Sequence, residues 1–105
     1  MNSFESLSPR EAYAAYMMGS ILVDVQENPE FETKSIDVKK LVKLPFSQLN
    51  QRFNELPQHR QVVFLSRVGV KSKRAAKFLM ENGYQNVATL DGGLAAWEEE
   101  GLPVR

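Results

Sequence analysis

"VVFLSRVGVKSKRAAKFL", Val62 to Leu79, decides how this chain is read. "QVVFL" (Gln61 to Leu65) is a short apolar run of the kind that forms a strand buried on both faces. After it comes a tight basic loop, "SRVGVKS" (Ser66 to Ser72), and then the opening of a helix. Gly69, at the loop's centre, permits backbone angles that other residues resist. A tight turn into a helix N-terminus points several backbone N–H groups at one place, making a cradle for an anion. Ser66 follows the strand directly, where such loops carry a nucleophile.

Working outward, strands and helices alternate. "SPREAYAAYMM" starts with Ser8, Pro9 and Glu11, a capping box with proline at the first helical position. "ILVDV" (Ile21 to Val25) reads as a buried strand, "NPEFETK" as one helical turn, and "KKLVKLP" as a short strand ending at Pro45. "SQLNQRFNEL" sets Leu49, Phe53 and Leu56 at helical spacing until Pro57 stops it. "VKSKRAAKFLMENGY" is a helix closed by Gly83, "NVATL" a last strand and "GGLAAWEEEGLP" a final helix. This order predicts an α/β fold with a mostly parallel sheet covered by helices on both faces. Ligands of such sheets sit beyond the carboxyl ends of the strands, which is where the loop lies. No repeat or linker divides the chain, so residues 1–105 are expected to form one domain.

Composition narrows the chemistry. The 105 residues carry 13 basic and 13 acidic side chains, no cysteine and one histidine. Disulfides, thiolate metal sites and thiol catalysis are therefore excluded, and no carboxylate spacing suggests a metal. No cofactor is expected. Zero net charge gives no global attraction to nucleic acid or membrane, and no apolar run approaches the ~18 residues of a bilayer span. "MNSFESLSPR" has neither a basic start nor an apolar segment, so it does not read as a signal peptide, and the expectation is cytoplasmic. A monomer or weak dimer is expected.

Charge is unevenly placed all the same. Leu56 to Met80 holds Arg60, Arg67, Lys71, Lys73, Arg74 and Lys77 and no acidic residue. Lys73 and Lys77 read as a solvated helix face, whereas Arg67 and Lys71 flank Gly69 and are expected to face an anion. Asp24 is either a group near the loop or a carboxylate satisfying N–H groups at its strand's end. Gly92 and Gly93 serve the entry to the last helix, with Asp91 as its cap. Trp97 and Leu94 are expected in the core, with the Trp97 indole a candidate border of the pocket. Tyr13, Tyr16, Met17 and Met18 read as packing on the first helix.

Serine hydrolysis is a poor fit. An activated serine needs a base within hydrogen-bond reach. His59 precedes the strand that Ser66 follows, which places them roughly 20 Å apart at ~3.3 Å per residue. "LSRVG" also lacks the Gly-x-Ser-x-Gly spacing of a hydrolase elbow.

Taken together, "VVFLSRVGVKSKRAAKFLMENGYQNVATLDGGLAAWEEEGLPV" resembles the C-terminal half of a single-domain rhodanese-like protein: strand, Cys-Arg-x-Gly-x-Arg/Lys-Ser, helix, Gly-Tyr-x-Asn-Val, Leu-x-Gly-Gly, Trp and Gly-Leu-Pro-Val. "LVDVQENPEF" is similar to the family's first-half motif. The resemblance covers nearly the whole chain and implies a three-layer sandwich with a sheet of about five strands. It also implies transfer of a sulfane sulfur, from a donor such as thiosulfate to an acceptor such as cyanide, carried as a persulfide on the loop cysteine. By motif match, Ser66 stands at the cysteine position, and Arg67, Val68, Gly69, Val70 and Lys71 complete a six-residue loop, with Ser72 opening the helix. A related phosphatase branch uses a longer loop. Gln26 stands where the family commonly has arginine, and the Gly-His-Ile-Pro-Gly-Ala segment survives only as "KSIDVKKLVKLP", with Lys39, Lys40 and Lys43 altering its charge.

Two functions follow from this resemblance. One is a non-catalytic module that holds a small thiosulfate- or sulfate-like anion, or a protein partner, at Ser66–Ser72. The other is a thiosulfate sulfurtransferase whose cysteine has been replaced by Ser66. Nucleic-acid binding is disfavoured, because no aromatic residue lies between Arg67 and Lys77.

Overall fold

A computed structural model describes residues 3–105; Met1 and Asn2, the start of the segment read for a signal, lie outside the described residues. Five strands form one parallel sheet: β1 (Glu5–Leu7), β2 (Ile21–Asp24), β3 (Val42–Lys43), β4 (Val62–Leu65) and β5 (Val87–Leu90), in the order β1-β5-β4-β2-β3. The helices are α1 (Pro9–Met17), α2 (Asn28–Thr33), α3 (Leu49–Arg52), α4 (Val70–Glu81) and α5 (Gly93–Glu99). Among the described residues, no helix is long and apolar enough to cross a membrane.

Strand alternation builds the layers. In β4, Val62 and Phe64 join a core with Ala75, Ala76 and Leu79 of α4, while Val63 and Leu65 join Ala12 of α1 and Leu94 and Trp97 of α5. All four β4 residues are fully buried, because the strand lies between β2 and β5 with a layer on each face. The parallel register puts the carboxyl ends of β2 and β4 side by side, with Asp24 opposite Leu65. Ser66 leaves β4 at this edge.

Local signals behave as their chemistry dictates. The Ser8 backbone N–H donates to Glu11 Oε1 at 2.8 Å, and Ser8 Oγ accepts from the Glu11 N–H, closing the capping box ahead of Pro9. Two expectations need correction here. The helix over "SQLNQRFNEL" is instead a single α-turn, Leu49–Arg52, between 3-10 turns at Phe46–Gln48 and Phe53–Glu55. The Phe53 carbonyl accepts the Leu56 N–H at 3.0 Å in a 3-10 turn, and the Tyr84 hydroxyl reaches the carbonyls of Phe53 (3.1 Å) and Leu56 (2.5 Å). Met17 and Met18 do not pack: they are 69% and 88% exposed, whereas Tyr13 meets the Trp97 ring edge-on at 5.5 Å. Strand β1 was not expected at all, since three residues at a sheet edge carry no readable alternation.

The chain's end closes the first half. Val104 bridges Ile36 in an antiparallel pair, and the Asp37 N–H donates to the Pro103 carbonyl at 2.9 Å. Ile36 is thereby fully buried, and the rebuilt "KSIDVKKLVKLP" segment is fastened beside α5.

Candidate functional site: the Ser66–Ser72 loop

Gly69 takes φ +96° as the N-cap of α4, so it cannot supply a capping side chain. Ser66 does that work from outside the helix. Its Oγ accepts the N–H of Gly69 at 3.1 Å and of Ser72 at 3.2 Å. A hydroxyl has two acceptor lone pairs and one proton to give. Both lone pairs are engaged, and no acceptor for the Ser66 proton stands among the described residues. The N–H groups of Val70 and Lys71, in the first turn of α4, likewise have no protein acceptor among the described residues, as helix starts require.

The loop's carbonyl side is held by α5. Leu94 N–H donates to the Ser66 carbonyl at 2.8 Å and Ala95 N–H to that of Arg67 at 3.1 Å. The Gly92–Gly93 pair allows this approach: a Cβ on Gly93 would stand 2.3 Å from the Ser66 carbonyl oxygen. Gly92 itself is the N-cap of α5, with no side-chain cap, so the expected Asp91 cap is corrected.

The remaining candidates are distributed as follows. Arg67 is exposed, Val68 and Val70 are 59% and 63% exposed, and Lys71 is half-buried. All four line a cleft of about 250 Å³ with Ser66, Gln26 and Glu30. Ser72 is fully buried, and its hydroxyl finds no partner among the described residues. Of the other basic residues, Arg60 binds the Gly19 carbonyl before β4, Arg74 lies over the Phe46 ring, and Lys73 and Lys77 are solvated. No ion pair engages Arg67 or Lys71 among the described residues. His59 is exposed ahead of β4, at the end of that strand away from Ser66.

Asp24 is buried beneath this cleft. It accepts the Gln26 backbone N–H (2.9 Å), Gln26 Nε2 (3.0 Å) and the Ser35 hydroxyl (2.7 Å). Burial raises its pKa above the ordinary carboxylate value, and these three donors only partly oppose the rise. Both readings of Asp24 therefore meet in one residue, which satisfies an N–H at its strand's end and orients Gln26 in the cleft wall. Trp97 sits apart in the core, its Nε1–H donating to the Pro103 carbonyl at 2.8 Å. Gln26 and Glu30 are the lining residues that sequence reasoning did not assign to the site. The departure from arginine at position 26 was the one available signal.

A parallel five-stranded sheet with a β4–loop–α4 turn at its carboxyl edge and helices on both faces defines the class: a three-layer α/β domain. The family model of the rhodanese-like domain matches residues 8–100. The chain belongs to the rhodanese-like family, with serine at the position of the family's cysteine. It is 36% identical over 100 residues to a sulfurtransferase of Allochromatium vinosum, covering 95% of this chain and 89% of that protein. It is also 33% identical over 106 residues to the thiosulfate sulfurtransferase GlpE of Haemophilus influenzae, covering 97% and 95%. Among solved structures, a rhodanese-related protein from Thermoplasma volcanium is similar with a TM-score of 0.85 and 25% identity, covering 97% and 98%.

Proposed function

We propose that this chain is a rhodanese-like domain that transfers no sulfur itself and holds a small oxyanion, or an anionic group of a protein partner, at Ser66–Ser72. The observation that carries this is the hydrogen-bonding state of Ser66. With both lone pairs taken by Gly69 and Ser72, its remaining capacity is one O–H donor. Around it stand the first N–H groups of α4 and two cations, Arg67 and Lys71, without partners among the described residues, and these groups favour negative charge. Nothing adjacent activates the oxygen as a nucleophile. A protonated hydroxyl does not accept and release sulfane sulfur as a thiolate does.

The test pairs the protein with Ser66→Cys in a thiosulfate–cyanide assay and an anion titration. The protein as sequenced is expected to form no thiocyanate and to bind sulfate or thiosulfate with shifts in the Arg67 to Ser72 amides. Ser66→Cys is expected to gain turnover, since the same two N–H groups would stabilise a thiolate. Thiocyanate formed at an enzymatic rate by the serine protein overturns the reading, as does an anion titration that leaves those amides unmoved.

A further inference from the structure

The 250 Å³ cleft does not end at the loop. A second cleft of about 460 Å³ runs from it between α2 and α5, and Gln26, Glu30 and Arg67 line both. These three side chains are therefore where the clefts meet; Arg67 belongs to the loop, whereas Gln26 and Glu30 bring a different chemistry.

Gln26 is oriented without ambiguity. Its Nε2 donates to Asp24 Oδ2 at 3.0 Å and to the Lys34 carbonyl at 3.1 Å, which commits both amide hydrogens. The Oε1 atom is left as an acceptor, with no donor reaching it among the described residues. Glu30 is similar: its Oε1 takes the Glu27 N–H at 3.1 Å, and no ion pair or second donor among the described residues engages the carboxylate. Lys34 and Glu98, which line the second cleft, neutralise each other at 2.9 Å. One side of the junction thus offers donors and positive charge: the Ser66 hydroxyl, the α4 amides, Arg67 and Lys71. The other side offers two acceptors, Gln26 Oε1 and the second Glu30 carboxylate oxygen, one of them charged, and no protein donor among the described residues takes either.

A bare oxyanion uses only the first set and is repelled by Glu30. We infer that the joined cleft selects a small zwitterion, a molecule whose anionic group sits on the loop while its ammonium donates to Gln26 Oε1 and the Glu30 carboxylate. This deepens the proposed anion-binding role and rests on it. Gln26 and Glu30 are then the specificity residues, since each presents an acceptor oxygen that an ammonium can reach and a bare anion cannot use.

Two matched pairs of probes test this by NMR titration at constant ionic strength and neutral pH. They are taurine against ethanesulfonate, and 3-aminopropanesulfonate against 1-propanesulfonate. The members of each pair share the sulfonate and chain length and differ in the ammonium. At least one aminosulfonate is expected to bind fivefold or more tightly than its amine-free counterpart, although it carries less net negative charge. Glu30→Gln, which keeps an acceptor for the Glu27 N–H, is expected to cut that preference at least threefold without weakening the amine-free probe. Gln26→Met should act in the same direction, with its amide spectrum confirming the fold. Equal binding within both pairs overturns the inference and leaves the anion-binding role standing. A preference untouched by both substitutions also overturns it. Failure of every sulfonate and of sulfate to bind removes the anion-binding role as well.

Discussion

The Ser66 carbonyl oxygen and Gly93 are in such close approach that no side chain fits between them: a Cβ on Gly93 would lie 2.3 Å from that oxygen. The loop is positioned by α5 as much as by the strand that feeds it, because the Leu94 N–H reaches the same oxygen at 2.8 Å.

Gly93→Ala is therefore expected to be among the most damaging single-methyl changes in this protein. It combines a left-handed backbone, φ +63°, with a collision against backbone atoms that have little room to move. The expected loss is roughly 2–4 kcal/mol. Gly83→Ala is the control, since Gly83 has φ +95° but open space around its Cβ. It should lose only about 1–2 kcal/mol. Urea unfolding of both variants measures the difference, and equal losses would mean that close approach contributes nothing.

Ser66→Ala should lower stability by about 1–3 kcal/mol, because the Gly69 and Ser72 N–H groups would lose their acceptor in a buried setting. Hydrogen exchange at those two amides should accelerate. Unchanged exchange would mean that the hydroxyl does not cap α4.

Two carboxylates should impose opposite pH dependences on stability. Burial raises Asp24 above its ordinary 3.8, so between that pH and its folded value the folded state holds a proton that the unfolded chain has lost. Its contribution is fully present below 3.8 and is lost as pH rises through the folded value. Glu27 is lowered below 4.5, chiefly by the hydroxyl of Ser47, so its contribution is present above 4.5 and is lost as pH falls through its folded value. Denaturant midpoints from pH 3 to pH 8 check this. The stability of the parent relative to Asp24→Asn should fall with rising pH, and relative to Glu27→Gln it should rise. Parallel curves for parent and Asp24→Asn would contradict the first.

Thr89→Val should stabilise the fold by about 1 kcal/mol. Thr89 is fully buried and its hydroxyl has no partner among the described residues. It shares the α4-facing side of β5 with Val87, so a methyl in place of the hydroxyl meets apolar neighbours. A fall in the thermal midpoint would indicate a hydrogen bond to bound water at this hydroxyl.

Ile21–Asp24, Val62–Leu65 and Val70–Glu81 are legible because buried parallel strands and amphipathic helices write their period into neighbouring residues. The Ser8–Glu11 capping box is legible for the same reason: all its atoms lie within one turn. The short edge strand Glu5–Leu7 is not, since its identity comes from pairing with Val87–Leu90 and not from its own pattern. The broken helix around Leu49 is not legible locally, because Tyr84, whose hydroxyl meets the Phe53 and Leu56 carbonyls at its end, lies beyond β4 and α4 in the chain.

The loop at Ser66 follows the same division. Its length, its glycine, its cations and its missing thiol are local facts, legible in the residues from Ser66 to Ser72 alone. Which cations stay beside it was decided by the fold, which sends Arg60 to Gly19 and Arg74 to Phe46 and leaves Arg67 and Lys71 with no ion pair among the described residues. The fold also brought Gln26 and Glu30 into the same wall and committed the Gln26 amide nitrogen to Asp24 and the Lys34 carbonyl. Hydrogen-bond direction between residues far apart in the chain depends on where packing sets their backbones, and no run of neighbouring residues encodes that.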